Sequence, residues 1–184
     1  MAEYYLMSQL PSLDGISENM PIPIDEERFL DLCDRYLSDQ AKAEVQKITL
    51  VPSLTVEASP SALITAWNDA ERDLRLALGK IRAEKMSKTF DTGNKTLSTE
   101  LLRTATTAAE MESPLEAEKY LSQYRLNLLE LLRPTDNFSE DFVYYYALRL
   151  KLLLRTRKFD TQLGETEYRN IYNSIVNGDR LEAI

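Results

Sequence analysis

The feature that most constrains the fold is an apolar stripe, Leu63, Trp67, Ala70, Leu74, Ala77 and Ile81, recurring at alternating spacings of four and three. At 3.6 residues per turn this spacing places all six side chains along one side of a helix, which other elements must then cover. Ser59-Pro60 precedes it, a capping serine with proline at the first helical position. The pattern predicts a helix of about 27 residues, flanks included.

Similar signals recur on both sides. Asp25 is placed to cap a helix with Glu26 and Glu27 in its first turn and Phe29, Cys33 and Tyr36 inward. A second short helix is expected over 39–50. Beyond the turn cluster Asp91-Thr92-Gly93-Asn94, a Thr/Ala-rich helix is expected over 97–111. Ser113-Pro114-Leu115-Glu116 reads as a capping box, with Ala117, Leu121, Tyr124, Leu128 and Leu131 as the inner face and Pro134 as the stop. The next helix is expected to start near Asn137, with Glu140 completing a similar box and Phe138, Phe142, Tyr146, Leu150 and Leu153/Leu154 inward. A last amphipathic segment, 165–176, would turn Tyr168, Ile171, Tyr172 and Ile175 inward and end before Gly178.

Strand signals are weak throughout, so the fold class is all-α: a helical bundle with little or no sheet. Pro11, Gly15, Pro21 and Pro23 make 1–24 a brief element followed by a Pro-rich connector. With 184 residues the chain fits a single helical domain, divided into 1–24 and two helical halves, 25–111 and 112–178.

The chain contains no histidine, one cysteine (Cys33), and five glycines that form no phosphate-cradling loop. Histidine is the usual proton carrier near neutral pH and the commonest metal ligand. Cys/His clusters build structural zinc sites, and Gly-rich turns open nucleotide sites. These absences argue against an enzyme and against a metal or other cofactor. The paired acids Glu26/Glu27, Glu140/Asp141 and Glu165/Glu167 fall near helix starts, where the macrodipole favours negative charge, rather than reading as an acid–base pair. Residues 1–60 carry eleven acidic and four basic side chains, seven of the eight net negative charges, which disfavours nucleic acid as a partner.

No basic n-region opens the chain, the apolar stretch 142–154 is too short to span a bilayer, and one cysteine suits a reducing compartment, so a cytoplasmic location is expected. Asn94-Lys95-Thr96 matches a glycosylation sequon that this location would leave unused.

Two clusters stand apart from the core pattern. Arg149, Lys151, Arg155, Arg157 and Lys158 form the densest basic run and the candidate interaction face, with Lys151, Arg155 and Lys158 expected to share a side. Cations also belong at the end of a helix, so a structural reading stands beside it. Tyr144-Tyr145-Tyr146 cannot all face one side of a helix at about 100° per residue, so at least one ring is expected on a flank or the surface.

The opening Tyr4-Tyr5-Leu6-Met7-Ser8-Gln9-Leu10-Pro11-Ser12-Leu13, followed by Phe29-Leu30-Asp31-Leu32-Cys33, resembles an uncharacterised bacterial family encoded in V-type ATP synthase operons. The stretches 115–121 and 145–155, and Lys158-Phe159-Asp160, resemble its later helices. The resemblance implies a non-enzymatic accessory or structural protein of the rotary ATPase. Its job would be similar to that of the all-helical central-stalk socket that joins rotor shaft to membrane ring. Its implied partners are the other ATPase subunits, through which it would sit at the inner membrane face. The alternative is a free-standing cytoplasmic adaptor binding a peptide or phosphorylated ligand through the basic face.

Overall fold

The computed structural model describes residues 2–16, 20–53, 59–93, 95–158, 166, 168, 169, 171 and 172. Seven helices run between residues 2 and 157, and no strand occurs among the described residues: α1 Ala2–Gln9, α2 Glu26–Tyr36, α3 Asp39–Lys47, α4 Ala62–Lys85, α5 Thr99–Glu110, α6 Pro114–Leu131 and α7 Glu140–Arg157. The all-α bundle expected from periodicity is therefore what the chain forms.

Six of the seven helices begin on a side chain that accepts a hydrogen bond from the first turn: Asp25, Ser38, Ser61, Ser98, Ser113 and Ser139. Each satisfies a backbone donor that would otherwise lack a partner. Asp25 and Ser113-Pro114 sit where the sequence places them. Two starts differ. Helix α4 is capped by Ser61 rather than Ser59; the Ser61 hydroxyl accepts from the Ile64 N–H at 3.2 Å and donates to Asp141 Oδ1 at 2.6 Å. That second bond, to a residue of α7, favours Ser61 and leaves Pro60 outside the helix. Helix α7 is capped by Ser139 rather than Asn137, which leaves Phe138 in the preceding turn and exposed instead of inward. Helix α3 ends at Lys47, short of the expected Leu50.

The main core surrounds α7, which packs against α1, α3, α4 and α6. Every residue from Phe142 to Leu148 is buried. Tyr144, Tyr145 and Tyr146 are only 3%, 2% and 5% exposed, so the expectation that one ring lies on the surface or a flank is corrected. That expectation assumed one covered side. With helices on several sides, a triplet pointing in three directions is buried in all of them.

A second, smaller core joins the C-terminal half of α4 to α5 and the start of α6 through Leu74, Ala77, Leu78, Leu101, Ala105, Ala108 and Leu121. It crosses the expected boundary between 111 and 112. In α6 the covered residues are Leu121, Ser122, Arg125 and Leu129, and Leu131, expected inward, is 85% exposed. The inner face is turned because Arg125 points into the protein. Tyr168, Ile171 and Tyr172 are helical and exposed rather than inward, while Asn94, Phe159, Asp160, Glu165, Glu167, Ile175 and Gly178 lie outside the described residues.

Candidate interaction surface and cleft

The five basic residues of the candidate face do not present one open patch. Arg149 is one turn beyond Tyr145, and its Nη1 donates to Glu130 Oε2 and to the Tyr145 hydroxyl, both at 2.6 Å. Its Nη2 lies 3.3 Å from Asp14 Oδ1. Lys151 pairs with Glu26 of α2, and Arg155 Nη2 with Glu118 Oε2 of α6 at 2.9 Å. Lys151 and Arg155, expected on one side, thus reach different neighbours. Arg157 is half-buried and Lys158 exposed at the helix end. Where 149, 151 and 155 lead, the charges tie α7 to its surroundings.

Arg133 completes the knot around Arg149. Its Nη1 is 3.2 Å from Glu130 Oε1, and its guanidinium carbon lies 5.6 Å and 5.7 Å from the Phe142 and Tyr145 ring centroids. The Tyr145 hydroxyl donates to Glu130 Oε2 at 2.7 Å. That bond, working against burial and joined by those from Arg133 and Arg149, holds the Glu130 carboxyl below its ordinary pKa. Burial first, and the Glu130 bond second, raise the Tyr145 phenol. The group stays as carboxylate, neutral phenol and two guanidiniums across the neutral range, a geometry that clamps rather than transfers a proton.

A second charged group lies between α4 and α6. Glu71, fully buried, accepts two parallel bonds from Arg125, Nε to Oε2 and Nη2 to Oε1, each 2.9 Å, and a third from Arg75 Nε at 3.1 Å. The sequence held a signal for it: Glu71 stands four residues after Trp67 and three before Leu74, a charge inside the apolar stripe. A fully buried carboxylate requires a partner, and the bidentate fork of an arginine is the geometry that supplies one.

Two surface features carry no internal explanation. Tyr4, Tyr5 and Phe138 are exposed, and Tyr4 lies beside each of the other two; the Tyr4 and Phe138 ring centroids lie 5.0 Å apart, and those of Tyr4 and Tyr5 6.0 Å apart. A cleft of about 400 Å³ opens where the segment after α3 crosses α4 and α7. Ile48, Pro52, Ile64, Trp67 and Leu148 form its apolar lining, and Glu44, Lys47, Asn68 and Arg72 bring polar groups to it.

Cys33 is buried, and burial together with the Asp34 charge pushes its thiol up to about 12, which makes it a core residue rather than a nucleophile. No group of three or more Cys, Asp or Glu placed to hold a metal ion occurs among the described residues. No helix among them is long and apolar enough to cross a membrane.

No curated protein and no solved structure matches the chain. One family model, described as "Protein of unknown function (DUF2764)", matches residues 83–179, from the end of α4 through α7 and beyond. The match spans more than half of the 184 residues, and the chain belongs to this family.

Proposed function

We propose that the chain is a non-enzymatic accessory or structural subunit of a V-type ATP synthase, acting by contact where the central stalk meets the membrane ring. The observation that carries this reading is the way the segments resembling the operon-encoded family meet in space. Residues 4–13 supply α1 and the turn after it, 29–33 the middle of α2, and 145–155 most of α7. The Tyr146 hydroxyl donates to the Pro11 carbonyl at 2.8 Å, and the Phe29 ring stacks on Tyr146 at 5.5 Å. Segments separated by more than a hundred residues thus form one unit, with exposed Tyr4 and Tyr5 on its outside. Clustered exposed aromatic rings suit a protein–protein contact, since tyrosine joins a large apolar body to a polar tip.

The test is co-purification of the ATPase catalytic subunits with the tagged chain from its native host. The catalytic subunits are expected to accompany the wild type. Replacing the exposed Tyr4 and Tyr5 with serine is expected to weaken the association while leaving the helical content unchanged. Absence of ATPase subunits from the wild-type eluate rejects the reading. The adaptor alternative has less support, because Arg149, Lys151 and Arg155 already bond to carboxylates of the chain itself.

A further inference from the structure

The cleft beside Trp67 combines two properties that together specify a ligand. Ile48, Ile64, Trp67 and Leu148 give it an apolar part. Its unsatisfied polar capacity is on the donor side. Trp67 is 1% exposed, and its indole N–H meets no acceptor among the described residues. An indole N–H can only donate, so a buried one without a partner asks for an acceptor from outside. Arg72, just over one helical turn along α4, brings a guanidinium to the same cleft. Arg72 is anchored from both sides: Nε and Nη2 donate to the Ser53 carbonyl at 3.3 Å, and Nη1 to Asp69 Oδ1 at 3.1 Å. Three bonds leave two of its five N–H groups over. Asn68, between them, adds an amide. The acidic residue of the lining, Glu44, is already engaged by Lys47 at 3.1 Å and by the Ser59 hydroxyl at 3.3 Å.

We propose that this cleft binds an apolar group ending in a carboxylate. The hydrocarbon part lies on Ile48, Ile64, Trp67 and Leu148, and the carboxylate accepts from the Trp67 indole, the Asn68 amide and the Arg72 guanidinium. A cleft of about 400 Å³ is within the range of small-ligand pockets, and its mixed lining, more polar than apolar, suits a ligand that is apolar at one end and charged at the other. The same chemistry is offered by a free aliphatic acid and by the C-terminal residue of another chain. Neither ligand depends on membership of an ATPase.

Trp67 is the chain's single tryptophan, so its emission reports the site directly. The purified full chain is titrated with octanoate and octanamide, and with a five-residue peptide ending in leucine as free acid and as amide. Calorimetry provides the affinities. At least one of the two acids is expected to give a saturable change in emission, with a Kd at least tenfold below that of its amide. Tighter binding of octanoate assigns the site to free acids, and tighter binding of the peptide assigns it to a chain terminus. Arg72→Ala is expected to weaken the bound acid at least tenfold. Should that variant fail to fold, Trp67→Phe, which keeps an aromatic ring and removes the N–H, is expected to weaken it at least threefold by calorimetry. No saturable change with either acid, equal affinity for acid and amide, or undiminished affinity in the folded variant each overturns the proposal. Binding that emerges only after residues 54–58 are replaced by glycine and serine also overturns it, because the chain's own segment then fills the cleft.

Discussion

Glu71 and Arg125 are the residues on which the packing of α4 against α6 turns, since both side chains are within 6% of full burial. Removing one partner leaves the other charged and unpaired in the interior, at a cost of about 3–5 kcal/mol. Glu71→Ala is therefore expected to lower the unfolding free energy by that amount, read as a lower urea midpoint at an unchanged m value. Glu71→Leu combined with Arg125→Met removes both charges and is expected to cost much less than either single change. A double variant as unstable as the singles would show that the charges themselves, rather than the volume, hold the helices.

Buried protons at other residues set the alkaline limit. The Cys33 thiol rises from 9.0 to about 12, chiefly through burial. Burial likewise raises the Tyr144 and Tyr146 phenols from 10.0, with the Glu140 charge adding to the shift of Tyr144. In each case the folded chain keeps a proton that the unfolded chain gives up sooner. The stabilisation is complete below the unfolded values and is lost as pH rises through the folded ones. Denaturant midpoints are expected to fall above pH 9, first through Cys33 and then through the tyrosines, from the unfolded values 9.0 and 10.0. Cys33→Ala is expected to flatten the first part of that fall; an unchanged slope would assign it to the tyrosines alone.

Among the elements, the caps differ in what they hold. Ser98 accepts one backbone bond, from Leu101 N–H at 3.2 Å. Ser61 accepts the corresponding bond from Ile64 and also donates to Asp141 across to α7. Ser98→Ala is expected to cost about 1 kcal/mol, the ordinary loss of a cap. Ser61→Ala is expected to cost about 2–4 kcal/mol, because a hydrogen bond to a carboxylate is lost as well. Equal losses in chemical denaturation would mean that the Asp141 bond contributes nothing. The caps themselves are legible locally, as serine or aspartate ahead of an apolar periodicity. Which of two nearby serines takes the role is not, because the choice rests on distant partners: Asp141, eighty residues from Ser61, and Glu44, to which the Ser59 hydroxyl donates.

The whole molecule has two cores of unequal weight. The main one holds Trp67, Phe29, Phe142 and the tyrosine triplet, whereas the smaller one rests largely on Ala77, Ala105, Ala108 and four leucines. Less apolar area covers α5, so its amides are expected to exchange through partial openings at lower free energy than those of α7. Hydrogen exchange by mass spectrometry checks this, and equal protection of α5 and α7 would make the molecule one cooperative unit. The family-matched region 83–179 includes α7 but not α1, α2 or α3, and only the last turn of α4. A fragment beginning at residue 83 would expose Tyr146, Leu148 and the other α7 residues that those helices cover.

What the sequence determined by itself was local: that the chain is helical, where most helices start, and that Pro11 to Pro23 cannot continue one. Spacing, capping and proline act within a turn or two of the backbone, so they can be read without neighbours. The tertiary structure decided everything that depends on what lies opposite. It buried all three tyrosines by covering α7 on several sides, and it turned Arg125 inward and Leu131 outward to meet Glu71. It divided the basic run among Glu130, Glu26 and Glu118, none of which its spacing along α7 could name. It also left a cleft beside Trp67, whose place on an apolar stripe announced only that the ring would be covered. The physical reason is common to all four: a side chain's environment is set by elements tens of residues away, and periodicity records only that some such element exists.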